Sequence, residues 1–112
     1  MSGERTDDEP TIAGFQRAIE ATYLARDRAR GLAGTFVWFV EEVGELARAL
    51  KRDDPENLRE EFGDVLAWLS TLASLAGVDL SEASRAYASG CPSCRRAPCT
   101  CPLKTTPIGP FR

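Results

Sequence analysis

Acidic side chains recur in two similar segments of the sequence, at a spacing suited to binding a cation. The first segment reads Glu-Glu-Val-Gly-Glu-Leu from Glu41, and the second reads Glu-Glu-Phe-Gly-Asp-Val from Glu60. A helix turns about 100° per residue, so acids three residues apart lie on the same flank of it. Two pairs of carboxylates are selected in this way, Glu42 with Glu45 and Glu61 with Asp64. Glu41 and Glu60 point away from the apolar stripe and are interpreted as solvated charges.

If the two helices pack antiparallel, as the short connection between them suggests, the four carboxylates can converge. They would then repel each other unless a cation lay between them. Oxygen ligands without imidazole or thiolate favour Mg²⁺ or Mn²⁺ over zinc, and Mg²⁺ commonly completes its shell with water and substrate phosphates. A single pair of acids on a helix is usually solvated charge. Here the pair of acids is repeated on two helices, and each copy contains a glycine that weakens the helix. Solubility alone would not explain this repeat. The residues therefore predict a site for a hard divalent cation.

The 112 residues include no histidine, which excludes Ser-His-Asp and Cys-His nucleophile systems and histidine-ligated catalytic zinc. The net charge of -3 argues against holding nucleic acid through its phosphates, so no stable nucleic-acid complex is expected. No apolar run approaches the roughly 20 residues of a bilayer span. The acidic N-terminus is unlike a signal peptide. We therefore expect a cytoplasmic protein without membrane association.

The carboxylates must be positioned by helices, because apolar residues recur at the helical period and no segment alternates like a strand. The pattern predicts four helices, which run from Thr11 to Arg30, Thr35 to Arg52, Pro55 to near Gly77, and Asp79 to Ser89. Gly31 to Gly34 is predicted as a short link. Typical helix starts occur at Asp54, which precedes Pro55, and at Asp79, which has Glu82 three residues later. Gly90 is predicted to end the last helix in a left-handed conformation.

The chain is thus predicted to be all-α, with four parts along the sequence. These are a disordered leader (1–10), a helical domain (11–90), a cysteine-rich loop (91–101) and an extended tail (102–112). Phe15, Phe36, Phe39 and Phe62 are predicted to lie in the core. About 80 helical residues make a thin core. We therefore expect a homodimer or homotetramer.

The sequence segments around the acids resemble those of the all-α nucleotide pyrophosphohydrolases, and within them the MazG-like branch. These segments are Trp38 to Ala47 and Asn57 to Leu66. The shared motif is Glu-Glu-x-x-Glu followed by Glu-x-x-Asp, and the resemblance covers about residues 12–90. It implies a four-helix MazG-like bundle. It also implies that four acids coordinate Mg²⁺, and these match Glu42, Glu45, Glu61 and Asp64.

The resemblance further implies hydrolysis of a nucleoside triphosphate to the monophosphate and pyrophosphate, in house-cleaning of the nucleotide pool. Water would attack the α-phosphorus and pyrophosphate would leave as a magnesium complex. Glu42 or Glu45 is the expected base. Hydrolysis of phosphoribosyl-ATP or deoxyuridine triphosphate is a second interpretation. A third is a non-enzymatic zinc-binding interaction module whose acidic helix pair is a docking surface.

Cationic and aromatic side chains near the acids are candidates for substrate binding. Arg30, Arg48 and Lys51 are candidates for the phosphates, although basic residues at a helix end also complement its dipole. Trp38 lies one turn before Glu42 and Trp68 one turn after Asp64. Both tryptophans are predicted to stack on the nucleobase, with packing between subunits as the alternative.

Four cysteines lie close together near the C-terminus, at Cys91, Cys94, Cys99 and Cys101. In a reducing compartment this spacing favours tetrahedral zinc, which would organise a loop too short to fold alone. With four thiolates no ligand position stays open, so the predicted zinc is structural. Free thiols, or disulfides formed on oxidation, are the alternatives. The resemblance does not extend to this element.

Overall fold

The computed structural model of the chain describes residues 9–104. Its helices are α1 (Ile12–Arg52), α2 (Pro55–Leu75) and α3 (Leu80–Ser84), and a 3₁₀ turn (Arg85–Tyr87) follows α3. No strand occurs in this range, so the all-α prediction is confirmed. The predicted leader and tail lie largely outside the described residues.

The prediction of four separate helices is confirmed only in part. The first two predicted helices form the single element α1, which leaves helical geometry only at Gly31, with φ 88° and ψ 166°. This backbone conformation is accessible essentially to glycine alone, so one residue replaces the predicted four-residue link. The last predicted helix stops at Ser84 instead of Ser89, and the chain tightens into 3₁₀ pairing, with Ala88 N–H donating to the Arg85 carbonyl.

The helix starts predicted at Asp54 and Asp79 are confirmed. The Asp54 carboxylate accepts hydrogen bonds from the backbone N–H groups of Glu56 and Asn57, directly before Pro55. The Asp79 carboxylate accepts from Glu82 N–H at 3.2 Å. Each cap satisfies backbone donors that the first turn of a helix leaves unpaired.

The break at Gly31 lets both arms of α1 pack against α2. Gln16 donates a hydrogen bond to Ser74 at 3.0 Å, and the rings of Trp38 and Trp68 stack at 6.2 Å. A straight helix from residue 16 to residue 38 would cover about 33 Å, whereas residues 68 to 74 of α2 cover only about 9 Å. The chain can make both contacts because α1 bends. Beyond the break, α1 runs antiparallel to α2.

The interior of the single chain is small and unusually polar. Ala49 and Ala73 are the buried apolar residues of the described range, and Gln16, Thr35 and Ser70 are its largest fully buried side chains. Gln16 is held from both ends, since its amide donates to the Val78 carbonyl and accepts from Leu80 N–H, and this fixes α3 against α1.

The prediction that Phe36 and Phe62 lie in the core is wrong for the single chain, because each is 54% exposed. Phe15 and Phe39 are half-buried. The reason is that both helices carry a second apolar stripe, which remains largely exposed in the single chain. These outer stripes are Phe36, Val40 and Val43 on α1, and Phe62, Leu66 and Leu69 on α2.

Within residues 9–104, no single helix has the length and apolarity of a bilayer span. Pro55–Leu75 and Leu80–Tyr87 reach that length and apolarity only when taken together, and they are bent by 109°.

Candidate functional site

Three of the four predicted acids converge where α1 and α2 meet. Glu42 comes from α1, Glu61 and Asp64 come from α2, and one carboxylate oxygen of each lies within 4.8 Å of the others. Glu42 and Glu61 are half-buried, and Asp64 is exposed. We call these three residues the acid cluster.

The helical period explains why two of these acids are drawn inward. Thr35, Phe39, Leu46 and Ala49 line the inward face of α1, and Glu42 falls on the same stripe. On α2, Glu61 lies between Leu58 and Val65 in the same manner. Both glutamates therefore occupy positions that would normally hold apolar residues.

The electrostatics of the acid cluster are unfavourable for three ionised carboxylates without a positive charge nearby. Burial raises the pKa of Glu42 above its ordinary value, and the negative charges of Asp64, Glu61 and Glu45 raise it further. The Glu61 Oε1 atom is buried and has no hydrogen-bond partner among the described residues. A buried carboxylate oxygen without a donor is costly unless a ligand satisfies it.

Glu45 lies outside the acid cluster, although its charge reaches Glu42. Its carboxylate pairs with Arg48 at 2.8 Å, and about half of each side chain is exposed. Such an exposed pair is worth at most about 1 kcal/mol, so Glu45 can leave Arg48 cheaply. Glu41 and Glu60 are exposed, in agreement with their interpretation as solvated charges.

A cavity of about 310 Å³ adjoins the acid cluster and shares Asp64 with it. Its lining is formed by Tyr23, Arg26, Asp27, Arg30, Asp64, Ala67, Trp68 and Thr71. The cavity lies between the arm of α1 before Gly31 and the middle of α2. It therefore joins an aromatic and cationic space to a group of carboxylates.

Arg30, a predicted substrate-binding residue, is fixed in this cavity. Its guanidinium donates to Asp27 at 3.0 Å and to Thr35 at 3.1 Å, and it lies 4.9 Å from the centre of the Trp68 ring. These contacts hold the planar cation in one orientation.

The other predicted substrate-binding residues divide into two groups. Trp68 lines the cavity, and Trp38, which is 51% exposed, stacks on it with 18° between the ring planes. Arg48 and Lys51 lie outside the cavity lining. Arg48 is engaged by Glu45, and Lys51 is exposed in the last turn of α1.

Asp27 is a candidate functional residue that was not predicted from the sequence. It is only 3% exposed, and its carboxylate accepts from Arg30 and from the Thr71 hydroxyl at 3.0 Å. In the sequence it is hidden within a basic stretch. The available signal was its position four residues after Tyr23 on the inward stripe of α1, where a charged residue requires a partner.

The four predicted zinc ligands form a second cluster, away from the acids in the sequence. The sulfur atoms of Cys91, Cys94, Cys99 and Cys101 all lie within 4.8 Å of one another, and none is in a disulfide.

Comparison with known proteins places these observations in a family. Residues 32–89 match the MazG nucleotide pyrophosphohydrolase domain, and this range contains the whole acid cluster. The chain is also 38% identical over 76 residues to a dATP/dGTP diphosphohydrolase of Cyanophage S-2L, and the match covers 68% of this chain and 69% of that protein. The chain belongs to the MazG nucleotide pyrophosphohydrolase family.

Proposed function

We propose that this protein hydrolyses nucleoside triphosphates to the monophosphate and pyrophosphate with the aid of Mg²⁺, or of Mn²⁺ in its place. The single observation that carries the proposal is the junction of the acid cluster with the cavity that holds Arg30 and Trp68. Family membership supports the reaction type. The side chains of the acid cluster support binding of the phosphates there, and those of the cavity support binding of the nucleoside beside it.

The donor set fits a hard divalent cation. Glu42, Glu61 and Asp64 would hold it, because they offer three converging carboxylate oxygens, one of them without another partner. When bound, the cation would neutralise negative charge on the triphosphate. It would thereby lower the electrostatic cost of placing the triphosphate beside three acids. In its absence the acids repel, and the raised pKa of Glu42 reflects this repulsion in addition to burial.

Glu45 is the carboxylate best suited to accept a proton. It lies one turn from Glu42, outside the acid cluster, and is tied only to an exposed arginine. We assign it as the base that takes a proton from water as the water oxygen bonds to the α-phosphorus. The bond from the α-phosphorus to its bridging oxygen then breaks, and pyrophosphate leaves. Glu42, the other predicted base, is assigned to holding the cation.

The cavity would receive the nucleoside end of the substrate. Arg30 is oriented by Asp27 and Thr35, so it can meet a phosphate or a base edge without losing further side-chain freedom. Trp38 is half-exposed beside Trp68 and offers a ring face for stacking. Since the cyanophage relative is a dATP/dGTP diphosphohydrolase, purine deoxynucleoside triphosphates are the first substrates to test.

Assembly from more than one copy is part of the proposal. Within residues 9–104 the buried apolar residues are two alanines, so this part of the chain has little hydrophobic stabilisation of its own. The outer stripes would be covered by a second copy of the chain, because one self-complementary patch suffices for a two-fold dimer. A dimer, or a tetramer made of dimers, would bury side chains that the single chain leaves half-exposed.

A panel of nucleotides with Mg²⁺ tests the proposed activity. It should contain dATP, dGTP, the other deoxynucleoside triphosphates including dUTP, the ribonucleotides and phosphoribosyl-ATP, scored for pyrophosphate against orthophosphate. We expect pyrophosphate as the product, with dATP or dGTP among the best substrates. Orthophosphate as the product would contradict hydrolysis at the α-phosphorus. No turnover of any nucleotide would favour the non-enzymatic interaction module.

A further inference from the structure

The loop of residues 91–101 has no apolar interior to hold it together. Most of its side chains are exposed, and it contains neither helix nor strand. Ordering such a segment costs backbone conformational entropy at every residue. Some other interaction must offset that cost, and the four cysteine side chains are the groups that converge inside the loop.

The spacing of the sulfur atoms matches a tetrahedral tetrathiolate centre. The Cys91 and Cys101 sulfurs are 3.7 Å apart, and those of Cys94 and Cys99 are 3.8 Å apart. In a tetrahedron with a Zn–S bond of about 2.3 Å, the edge between two sulfurs is roughly 3.8 Å. A disulfide would require about 2.05 Å. These two separations agree with the edge of such a tetrahedron and are too long for disulfides.

The backbone of the loop is arranged to receive negative charge on the sulfurs. Thr100 N–H donates to the Cys94 sulfur at 3.4 Å, and Cys101 N–H donates to the Cys99 sulfur at 3.3 Å. Amide donors of this kind stabilise metal-bound thiolates and fix their orientation.

Two turns close the loop around the sulfurs. Arg95 N–H donates to the Cys91 carbonyl, and Cys91 N–H donates to the Arg96 carbonyl at 3.0 Å. Arg95 adopts a left-handed conformation with φ 64°. Gly90 also has a positive φ, and a Cβ on it would lie 2.8 Å from the Arg96 carbonyl. These features bring the two pairs of cysteines together, and they require positive φ values that most residues adopt only at an energetic cost.

We propose that Cys91, Cys94, Cys99 and Cys101 bind one Zn²⁺ in a closed tetrahedral site that orders the C-terminal loop and takes no part in hydrolysis. Tetrahedral S₄ coordination favours zinc or iron, and zinc requires no redox chemistry of the site. Four protein ligands leave no position for water or substrate. This site is independent of the acid cluster, which offers oxygen ligands only.

The test is metal analysis of the untagged, full-length chain purified under reducing conditions. Because the sequence has no histidine, no imidazole competes with the cysteines for zinc. Elemental analysis and native mass spectrometry should give one zinc per chain. Cobalt substitution should give the intense sulfur-to-metal absorption and visible bands of tetrahedral thiolate coordination.

Variants separate the loop from the rest of the molecule. Cys94→Ser should lose essentially all of the zinc on dialysis against a chelator, while the matched control Ser93→Ala keeps one zinc per chain. Glu42→Gln should also keep its zinc, so failure of the zinc site and failure of the proposed hydrolysis are distinguishable. No bound metal, stoichiometric iron, or two disulfides in the reduced preparation would each overturn the proposal.

Discussion

Glu42 and Glu45 are three residues apart on one helix, yet their surroundings give them different chemistry. Glu42 points into the junction with α2, where burial and two acids from the other helix raise its pKa. Glu45 lies at the rim and pairs with Arg48. We infer that the first belongs to cation binding and the second to proton transfer.

Amide variants of these residues should therefore separate binding from turnover. Glu42→Gln, Glu61→Gln and Asp64→Asn should each weaken Mg²⁺ binding at least tenfold, because each removes a ligand. Glu45→Gln should bind Mg²⁺ nearly as the parent does and lose at least a hundredfold in kcat, the usual contribution of a general base. The Mg²⁺-dependent rise in Tm measures binding, and pyrophosphate release measures turnover. Loss of Mg²⁺ binding in Glu45→Gln would show that it is a ligand instead.

Glu42→Gln also has an expected effect on the metal-free protein. A carboxyl whose pKa is raised by folding stabilises the fold when protonated, and this contribution is lost as the pH rises through the raised pKa. In chelator, Glu42→Gln should thus raise the Tm near neutral pH and change it less at about pH 4. A lower Tm than the parent at neutral pH would contradict electrostatic repulsion in the acid cluster.

At the level of elements, the bend in α1 determines whether the cavity forms at all. Arg30 and Asp27 precede the break, and Glu42 follows it. The break rests on one residue, Gly31, with φ 88° and ψ 166°. A Cβ at this position would meet no atom within 4 Å, so a substitution tests the backbone conformation alone.

Gly31→Ala should lower the free energy of unfolding by about 1–3 kcal/mol, the cost of placing a residue with a Cβ in this conformation. Gly63→Ala is the matched control, because Gly63 lies in regular α2 with open space beside it. The control should be neutral or stabilising by up to about 1 kcal/mol. Urea denaturation at one fixed protein concentration measures both. Equal stability of Gly31→Ala and the parent would show that the bend does not require glycine.

Local signals in the sequence were enough to predict much of the fold. The Asp54 and Asp79 caps were predicted because their hydrogen bonds involve only neighbouring residues. The single-residue break at Gly31 was not, because two helices joined by a bend and two helices joined by a link have similar local patterns. Only packing of both arms against α2 distinguishes them.

The site was predicted in part, for the same reason. Periodicity selected Glu42, Glu61 and Asp64, because the flank of a helix depends only on spacing. The burial of Asp27 depends on how the helices are rotated against each other, whereas the pair of Glu45 with Arg48 is a local contact three residues apart on α1. Likewise, both helices have two apolar stripes, and the sequence alone does not indicate which stripe faces inward.

At the level of the whole molecule, the outer stripes leave large apolar side chains exposed to solvent. Phe36 and Phe62 are each 54% exposed, and Leu66 is 47% exposed. Apolar side chains repeated along a helix face in this way mark an interaction surface. The proposed dimer accounts for them with no partner other than the chain itself.

Leu66→Glu should therefore shift the assembly toward monomer and reduce stability, because it places a charge in the proposed interface. Leu103→Glu is the control, since Leu103 is 91% exposed and lies outside the helices. Light scattering coupled to size-exclusion chromatography, over a range of protein concentrations, measures the mass of each variant. A parent protein that stays monomeric across that range would contradict the assembly.

We propose that water attacks the α-phosphorus of a nucleotide held between the acid cluster and the cavity. Hydrolysis of dATP with Mg²⁺ in ¹⁸O-labelled water, followed by mass spectrometry of both products, tests this most directly. We expect the label in dAMP and none in pyrophosphate, with loss of both products in Asp64→Asn. Label in pyrophosphate, or in orthophosphate released beside dADP, would contradict it.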